Sequence, residues 1–593
     1  MKHLFALNKY ILRYKKLLFF GLLFVTLSNY FSILQPRLIR QALDLVINNL
    51  KLFPLFKDSA IQAEYSGNLA TSLLMFALLV VGSAILMGVF LYYMRQTIIV
   101  MSRYIEYDLR KDIFAHYTTL DQAFYRRNKT GDLMSRITED VSKVRMYLGP
   151  AIMYGINLIT LFILVIGSML EVNAELTLYT LLPLPILSIT IYLISNKINQ
   201  FSEAIQQQLA RLNSIAQEIY SGIRVVKSYV QEKFLLKYFE HESESFKRLS
   251  LDFTKVDSIF FPLIIFFTGI STIITVYIGG IKVNQGTITA GNVAEFVIYV
   301  NMLTWPVTAI GWIASIIQQA AASQKRINEF WQTQSAIAPA MGNGQITRGA
   351  IEFNQVSFTY EDTGIQALRQ VSFQVAPGEK LGILGRTAAG KTTIADLILH
   401  IYDPQEGEIR IDGQPLKSIP LSELRAKIGY VPQDVFLFSD TIQNNISFGL
   451  PVAANMEDLE QVSTHAAVHA DIVGLPKEYQ TLVGERGVSL SGGQKQRISI
   501  ARALIKKPRI VLLDDCLSAV DTKTESQILD SIYNQLENNT VLMITHRAAP
   551  LLNFDQIIIL DRGRIVEMGS PDKLLELKGV FHKVLEDQRV EEE

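Results

Sequence analysis

Gly385-Arg386-Thr387-Ala388-Ala389-Gly390-Lys391-Thr392 follows a short apolar strand, Lys380–Leu384, and runs into a helical stretch, Thr393–His400. This is the pattern G-x-x-x-x-G-K-[ST] in the strand–loop–helix setting that gives it meaning. Glycines let backbone N–H groups curl around phosphate oxygens, and the opening helix adds a favourable partial charge. Lys391 is placed to reach β- and γ-phosphates, and the Thr392 hydroxyl to ligate Mg²⁺. The expected phosphate-contacting run is Gly385, Arg386, Thr387, Ala388, Ala389, Gly390, Lys391, Thr392 and Thr393. Downstream, the β-rich run Arg509–Leu513 ends in Asp514 and Asp515. An acid ending a strand beside the P-loop strand holds Mg²⁺ or orients attacking water.

Around this loop, from Ile351 onward, short β-branched runs alternate with helical patterns, as in a soluble α/β domain. Upstream the chain is different. Leu17–Pro36, Tyr65–Met94, Met146–Leu170, Leu176–Asn196 and Ser258–Ile281 contain no Asp, Glu, Lys or Arg, and Phe296–Gln324 is a sixth uncharged run. A bilayer core takes ~20 apolar residues of helix, so each can span it. The expected architecture is an all-α six-helix transmembrane domain over 1–330, with spans near 17–38, 68–94, 146–170, 174–196, 258–281 and 291–318. A linker over 331–350 follows, with its Pro, Gly and Asn between 335 and 350, and then the α/β domain over 351–593.

Composition agrees. Of 593 residues 49% are hydrophobic and 19% charged, and 56 cations balance 56 acids, so a basic nucleic-acid footprint is not expected. One cysteine, Cys516, excludes an intrachain disulfide framework and a cysteine-based zinc cluster. It reads as a small core residue. Lys2, Lys9, Arg13, Lys15 and Lys16 precede the first span, which places the N-terminus in the cytoplasm. The cation-rich connections 95–145 and 197–257 should share that side, and both termini with them. Helical periodicity through Ile137–Tyr147 and Ile205–Tyr238 predicts cytoplasmic helical arms. One of ~25 residues would reach about 37 Å beyond the membrane.

Leu490-Ser491-Gly492-Gly493-Gln494, immediately before Lys495–Ala503, is identical to the signature motif of the ABC transporter family, which the chain resembles along essentially its whole length. Tyr360 is similar to the family's adenine-stacking aromatic. Val431-Pro432-Gln433-Asp434 resembles the Q-loop, Ser518-Ala519-Val520-Asp521 the D-loop, and Thr545-His546-Arg547 the H-loop. Thr481–Gly487 is similar to the X-loop of exporters. Six spans before this domain match the half-transporter layout of multidrug-type exporters. The resemblance implies an ABC ATPase domain that uses ATP and Mg²⁺, with Thr392, Gln433 and Asp514 at the metal and Asp515, His546 and Gln433 at the chemistry. It also implies a second half-transporter packed head to tail. Leu490, Ser491, Gly492, Gly493 and Gln494 would then face ATP bound by the partner, and Asp521 would lie at the seam. Short helices near Gln122–Tyr125 and Gly222–Lys227 would carry the movement to the spans.

Two positions depart from the family pattern. Asp515 stands where Glu is usual, one methylene shorter, and a misplacement of roughly 1 Å can cost on the order of 10²-fold in rate. Ala388 stands where glycine is common, which strains the loop if that position needs positive φ. Both belong to one half-site while the signature is intact, as in one subunit of a heterodimeric exporter; a slow homodimer is the alternative. The nearly uncharged spans suit an amphipathic or hydrophobic cargo such as drugs, lipids or lipopeptides. Asn301, Thr304 and Trp305 are candidate cavity residues, and Glu295 is expected to be hydrated at the outer end of the sixth span. An ATP-gated channel or receptor would need an added sensory or phosphorylatable segment, and an importer would usually separate the two domains. The expected setting is a bacterial inner membrane.

Overall fold

The computed structural model describes residues 2–56, 62–337, 342–484, 490–517 and 522–592. It divides into two compact units. The first holds the chain through Thr118 and Thr130–Thr333, and the second holds Thr119–Lys129 and Gln334–Glu593.

In the first unit, six helical segments among the described residues are long and apolar enough to cross a membrane: Lys15–Leu52, Gln62–Tyr117, Thr130–Val172, Ala174–Ser221, Glu232–Asn284 and Ala290–Gln332. Their apolar surface faces outward. Only 6% of the most apolar window of Gln62–Tyr117 is buried, with Leu74, Leu78, Ile85 and Tyr92 exposed. A soluble core would bury such a helix, so its solvent is lipid. Where helices do meet, hydroxyls and amides join them. Asn29 Nδ2 donates to Thr160 Oγ1 at 2.6 Å, and Ser271 Oγ donates to the Thr180 carbonyl at 2.5 Å, as expected where water cannot compete.

One expectation fails here. Glu295 is not hydrated: its side chain is fully buried, paired with Arg40 at 3.1 Å and accepting from Tyr299 Oη at 2.8 Å. A carboxylate can be withdrawn from water when a cation and a hydroxyl replace its hydration. The run Ile205–Tyr238 divides where a short helix is expected near Gly222–Lys227. Pro183–Ser221 ends at Gly222, a short helix Ile223–Ser228 follows, and Glu232–Asn284 starts after Val230 at φ +52°. The chain reverses at this tip, which a straight rod cannot do.

The second unit is the α/β domain. β1 (Ile351–Thr359), β2 (Gln366–Val375), β4 (Glu406–Ile411) and β5 (Gln414–Pro415) form a sheet in the order β2-β1-β4-β5. β3 (Lys380–Gly385), β6 (Ile428–Val431), β7 (Ile510–Asp514), β8 (Thr540–Thr545), β9 (Gln556–Asp561) and β10 (Arg564–Gly569) form the order β10-β9-β3-β8-β7-β6. All neighbours are parallel except β10 on β9. Alternate residues enter different cores: Val511, Leu513, Val541 and Met543 on one face, Ile510, Leu512, Leu542 and Ile544 on the other. Burial on both faces explains the continuous apolar runs. β7 is not beside the P-loop strand, because β8 lies between them. The carboxyl ends of β3, β8 and β7 still share one edge, where parallel α/β sheets bind ligands.

The segment before β1 is pinned by Asp412 in the β4–β5 turn. Its carboxylate accepts from the backbone N–H groups of Thr347, Arg348, Gly349 and Ala350 at 2.8–2.9 Å. Burial pushes this carboxyl up, but the four donors outweigh it and hold the group below its ordinary range.

Candidate nucleotide site

The loop after β3 takes its shape from residues with no room or no choice. A Cβ on Gly385 would collide with the Leu560 carbonyl, and Gly390 sits at φ +98° against the Ala367 carbonyl. Ala388 adopts φ +63°, so the position does need the left-handed region and alanine occupies it at a strain cost of roughly 1 kcal/mol. The helix Lys391–Ile398 then begins directly at the loop. Lys391 Nζ lies across it, donating to the Gly385 carbonyl at 2.7 Å and the Arg386 carbonyl at 3.0 Å. Burial lowers this ammonium's pKa, partly opposed by the charges of Asp515 and Asp514.

Asp514 ends β7 almost wholly buried. Its Oδ2 has no hydrogen-bond partner among the described residues. Burial raises its pKa, and the Thr392 hydroxyl acts in the opposite direction. A buried carboxylate oxygen without a donor, next to a threonine hydroxyl, is a hard-oxygen arrangement suited to Mg²⁺.

Asp515 follows at φ +48°, its N–H donating to the Ile544 carbonyl at 2.8 Å. Despite its short side chain it reaches both expected neighbours. Oδ1 lies 2.9 Å from His546 Nδ1, and Oδ2 accepts from Gln433 Nε2 at 3.3 Å. The structure therefore brings Asp514, Asp515, Gln433 and His546 to the same sheet edge as the loop. Cys516, buried beside them, has its thiol pKa pushed up by burial, consistent with a packing role.

Tyr360 is fixed to the same helix: its Oη lies 3.0 Å from Thr393 Oγ1. The rings of Phe358 and Tyr402 stand nearly perpendicular to it at 4.9 and 5.5 Å. Sequence reading missed Arg126, whose guanidinium lies 4.6 Å from the Tyr360 ring centroid. The available signal is a pair of adjacent cations, Arg126 and Arg127, at an arm tip.

The signature run opens the helix Gly492–Leu504. Ser491 Oγ accepts from the Gln494 N–H at 3.2 Å, and Gln494 Oε1 accepts from the Ser491 N–H at 3.0 Å, a reciprocal cap. Ser491 and Gly492 are exposed, and Gly493 and Gln494 half-buried. Leu490 packs against the core. Arg497 anchors the helix through Asp471 at 2.6 Å. Asp521 with the rest of Ser518–Asp521, and residues 485–487 of the X-loop run, lie outside the described residues.

In the membrane unit, Trp305 is half-exposed and meets Tyr154 at 5.5 Å, as Trp312 does at 5.6 Å. Asn301 is exposed, its amide donating to the Val297 carbonyl at 2.8 Å, while Thr304 bonds within the helix and to Thr268.

Residues 18–307 match the sequence family "ABC transporter transmembrane region" and residues 368–518 match the family "ABC transporter". The chain is 37% identical over 488 residues to the "Probable multidrug resistance ABC transporter ATP-binding/permease protein YheI" of Bacillus subtilis (strain 168), covering 81% of this chain and 83% of that protein. It is 35% identical over 489 residues to the "Multidrug resistance-like ATP-binding protein MdlA" of Escherichia coli (strain K12), covering 82% of each. A solved bacterial Atm1-family ABC exporter with ATP bound shares the fold at a TM-score of 0.78 and 24% identity, over 98% of this chain and 99% of that one.

Proposed function

Because the chain belongs to the multidrug-type ABC transporters, as a half-transporter fusing six apolar helices to one ATPase domain, we propose that it exports amphipathic or hydrophobic compounds from a bacterial cell. The setting we assign is the inner membrane, with both termini cytoplasmic. The observation that carries the reading is the covalent joining of outward-facing apolar helices to a phosphate loop, a metal-side carboxylate and a capped signature on one chain. The half-exposed aromatics Trp305 and Trp312 beside Asn301 suit a cargo with an apolar body and a polar handle.

Two half-transporters would close head to tail on two ATP molecules. Each phosphate chain would lie between Lys391, with the loop N–H groups, and the partner's signature. Thr392, Asp514 and Gln433 would hold Mg²⁺, whose charge offsets that building on the phosphate oxygens. Asp515 and His546 would position water at the γ-phosphate. The tip helix Ile223–Ser228 supports a dimer, since Val225 and the flanking Tyr220 and Tyr229 are exposed, an apolar surface that a second nucleotide domain would cover.

We further propose a heterodimer. The half-site with Ala388 and Asp515 would hold ATP and turn over slowly, while this chain's Leu490–Gln494 would complete a productive site on a partner carrying Glu. Reconstitution tests the export reading: vesicles should accumulate a lipophilic dye only with ATP, and Lys391→Ala should reduce uptake. ATP-independent passage unaltered by that change would reject it. Robust ATPase activity from this chain purified alone would reject the slow half-site.

A further inference from the structure

The helix Gln122–Arg127 is the tip of the first arm, and residues Thr119–Lys129 belong to the same compact unit as the nucleotide domain. Asp121 starts it, accepting from the Phe124 N–H at 2.9 Å. Its two closing cations do different things. Arg127 pairs with Glu361 at 2.6 Å, an exposed contact of the kind that salt screens. Arg126 instead lays its guanidinium 4.6 Å from the Tyr360 centroid. Nη2 is 3.5 Å from Asp362 Oδ2, and Nη1 is 3.5 Å from Tyr402 Oη.

A guanidinium is planar and weakly hydrated, so an aromatic face attracts it much as it attracts a stacking base. Tyr360 cannot swing aside to serve both, because Thr393 holds its hydroxyl and the Phe358 and Tyr402 rings brace it. Arg126 can move. Its polar contacts are long, and its side chain is 39% exposed, so water and Asp362 can receive the displaced charge.

We propose that Arg126 and the nucleotide base compete for the ring of Tyr360, which makes Arg126 a positioning residue through which the first arm's tip reads base occupancy. This rests on the reading of Tyr360 as the base-stacking residue. On this arrangement the triphosphate alone leaves Arg126 in place. Only a planar base displaces it, so the arm responds to the base separately from the phosphates.

The test uses the purified full-length chain with two probes, the non-hydrolysable ATP analogue AMPPNP and inorganic tripolyphosphate, both with Mg²⁺. An exposed cation–π contact is weak, so Arg126→Ala should tighten AMPPNP by roughly two- to fivefold, with tripolyphosphate affinity unchanged. Arg126→Lys, cationic but not planar, should give an intermediate value. Arg127→Ala breaks a comparable ion pair away from the ring and should leave the ratio of the two affinities alone. Unchanged or weaker AMPPNP binding in Arg126→Ala overturns the competition, as does an equal change for both probes or a shift in Arg127→Ala. Tyr360→Ala separates the two levels. It should weaken AMPPNP but not tripolyphosphate; if it does neither, the base-stacking reading fails and the competition with it.

Discussion

One nucleotide domain carries two candidate phosphate-facing surfaces, the loop after β3 and the signature run, built to different standards. The signature surface is locally relaxed: Ser491 and Gln494 cap each other, and the helix they open is anchored by Arg497 on Asp471. The loop surface holds two non-glycine residues in the left-handed region, Ala388 and Asp515, at the two positions that depart from the family pattern. In the proposed head-to-tail dimer these surfaces would serve different ATP molecules. On the proposed heterodimer, a chain would be impaired at one site and equipped at the other, and the unit of function would be the composite site rather than the subunit.

The largest expected effect comes from the relaxed surface. Gly493→Asp would aim a carboxylate at the partner-bound γ-phosphate. In the assembled transporter it should cut ATPase activity by on the order of 10²-fold or more, while Lys391→Ala costs far less. Steady-state ATPase of the two variants checks this, and equal losses would point to a symmetric homodimer. Next is Asp515→Glu. Restoring one methylene should raise turnover by the chain alone about 10-fold or more. Single-turnover hydrolysis would register it. The geometry sets a condition on this gain: Asp515 already touches His546 and Gln433, so no gain would mean that reach was never the defect.

Smaller and structural is Ser491→Ala, which removes an N-cap. It should destabilise the helix Gly492–Leu504 by about 1 kcal/mol, seen as a lower Tm for the nucleotide domain. It should also raise the ATP concentration needed for closure, because the same hydroxyl is proposed to meet the partner's phosphate. A Tm change without a closure change would confine Ser491 to capping.

What the sequence made legible was whatever chemistry forces locally. Phosphate cradling needs Gly385 and Gly390 at fixed offsets, and a bilayer needs long uncharged runs, so both surfaced without a structure. Non-local pairing did not. Glu295 looked hydrated because its partner Arg40 lies in the first spanning helix, far away in the chain. The apolar run ending in Asp514 points to the right sheet edge but not to its neighbour, because strand order is not written in strand composition. Arg126 was invisible as a site residue for the same reason: its role depends on Tyr360, which belongs to a different domain of the sequence.

The subtlest way to probe the contrast is Ala388→Gly. Alanine at φ +63° costs roughly 1 kcal/mol relative to glycine, but glycine in turn loses about 0.4–1 kcal/mol through the freer unfolded chain. The two terms oppose, so the expected net is stabilisation of no more than about 0.6 kcal/mol, a small rise in Tm. ATP affinity at the Lys391 site should improve by a similar increment, because the N–H of residue 388 need no longer be held in a strained loop to face a phosphate. Should Ala388→Gly instead lower stability, the surrounding loop has already absorbed the strain, and the departure at 388 is structural accommodation rather than part of a slow half-site. Asp515 would then stand alone as the residue that separates the two surfaces.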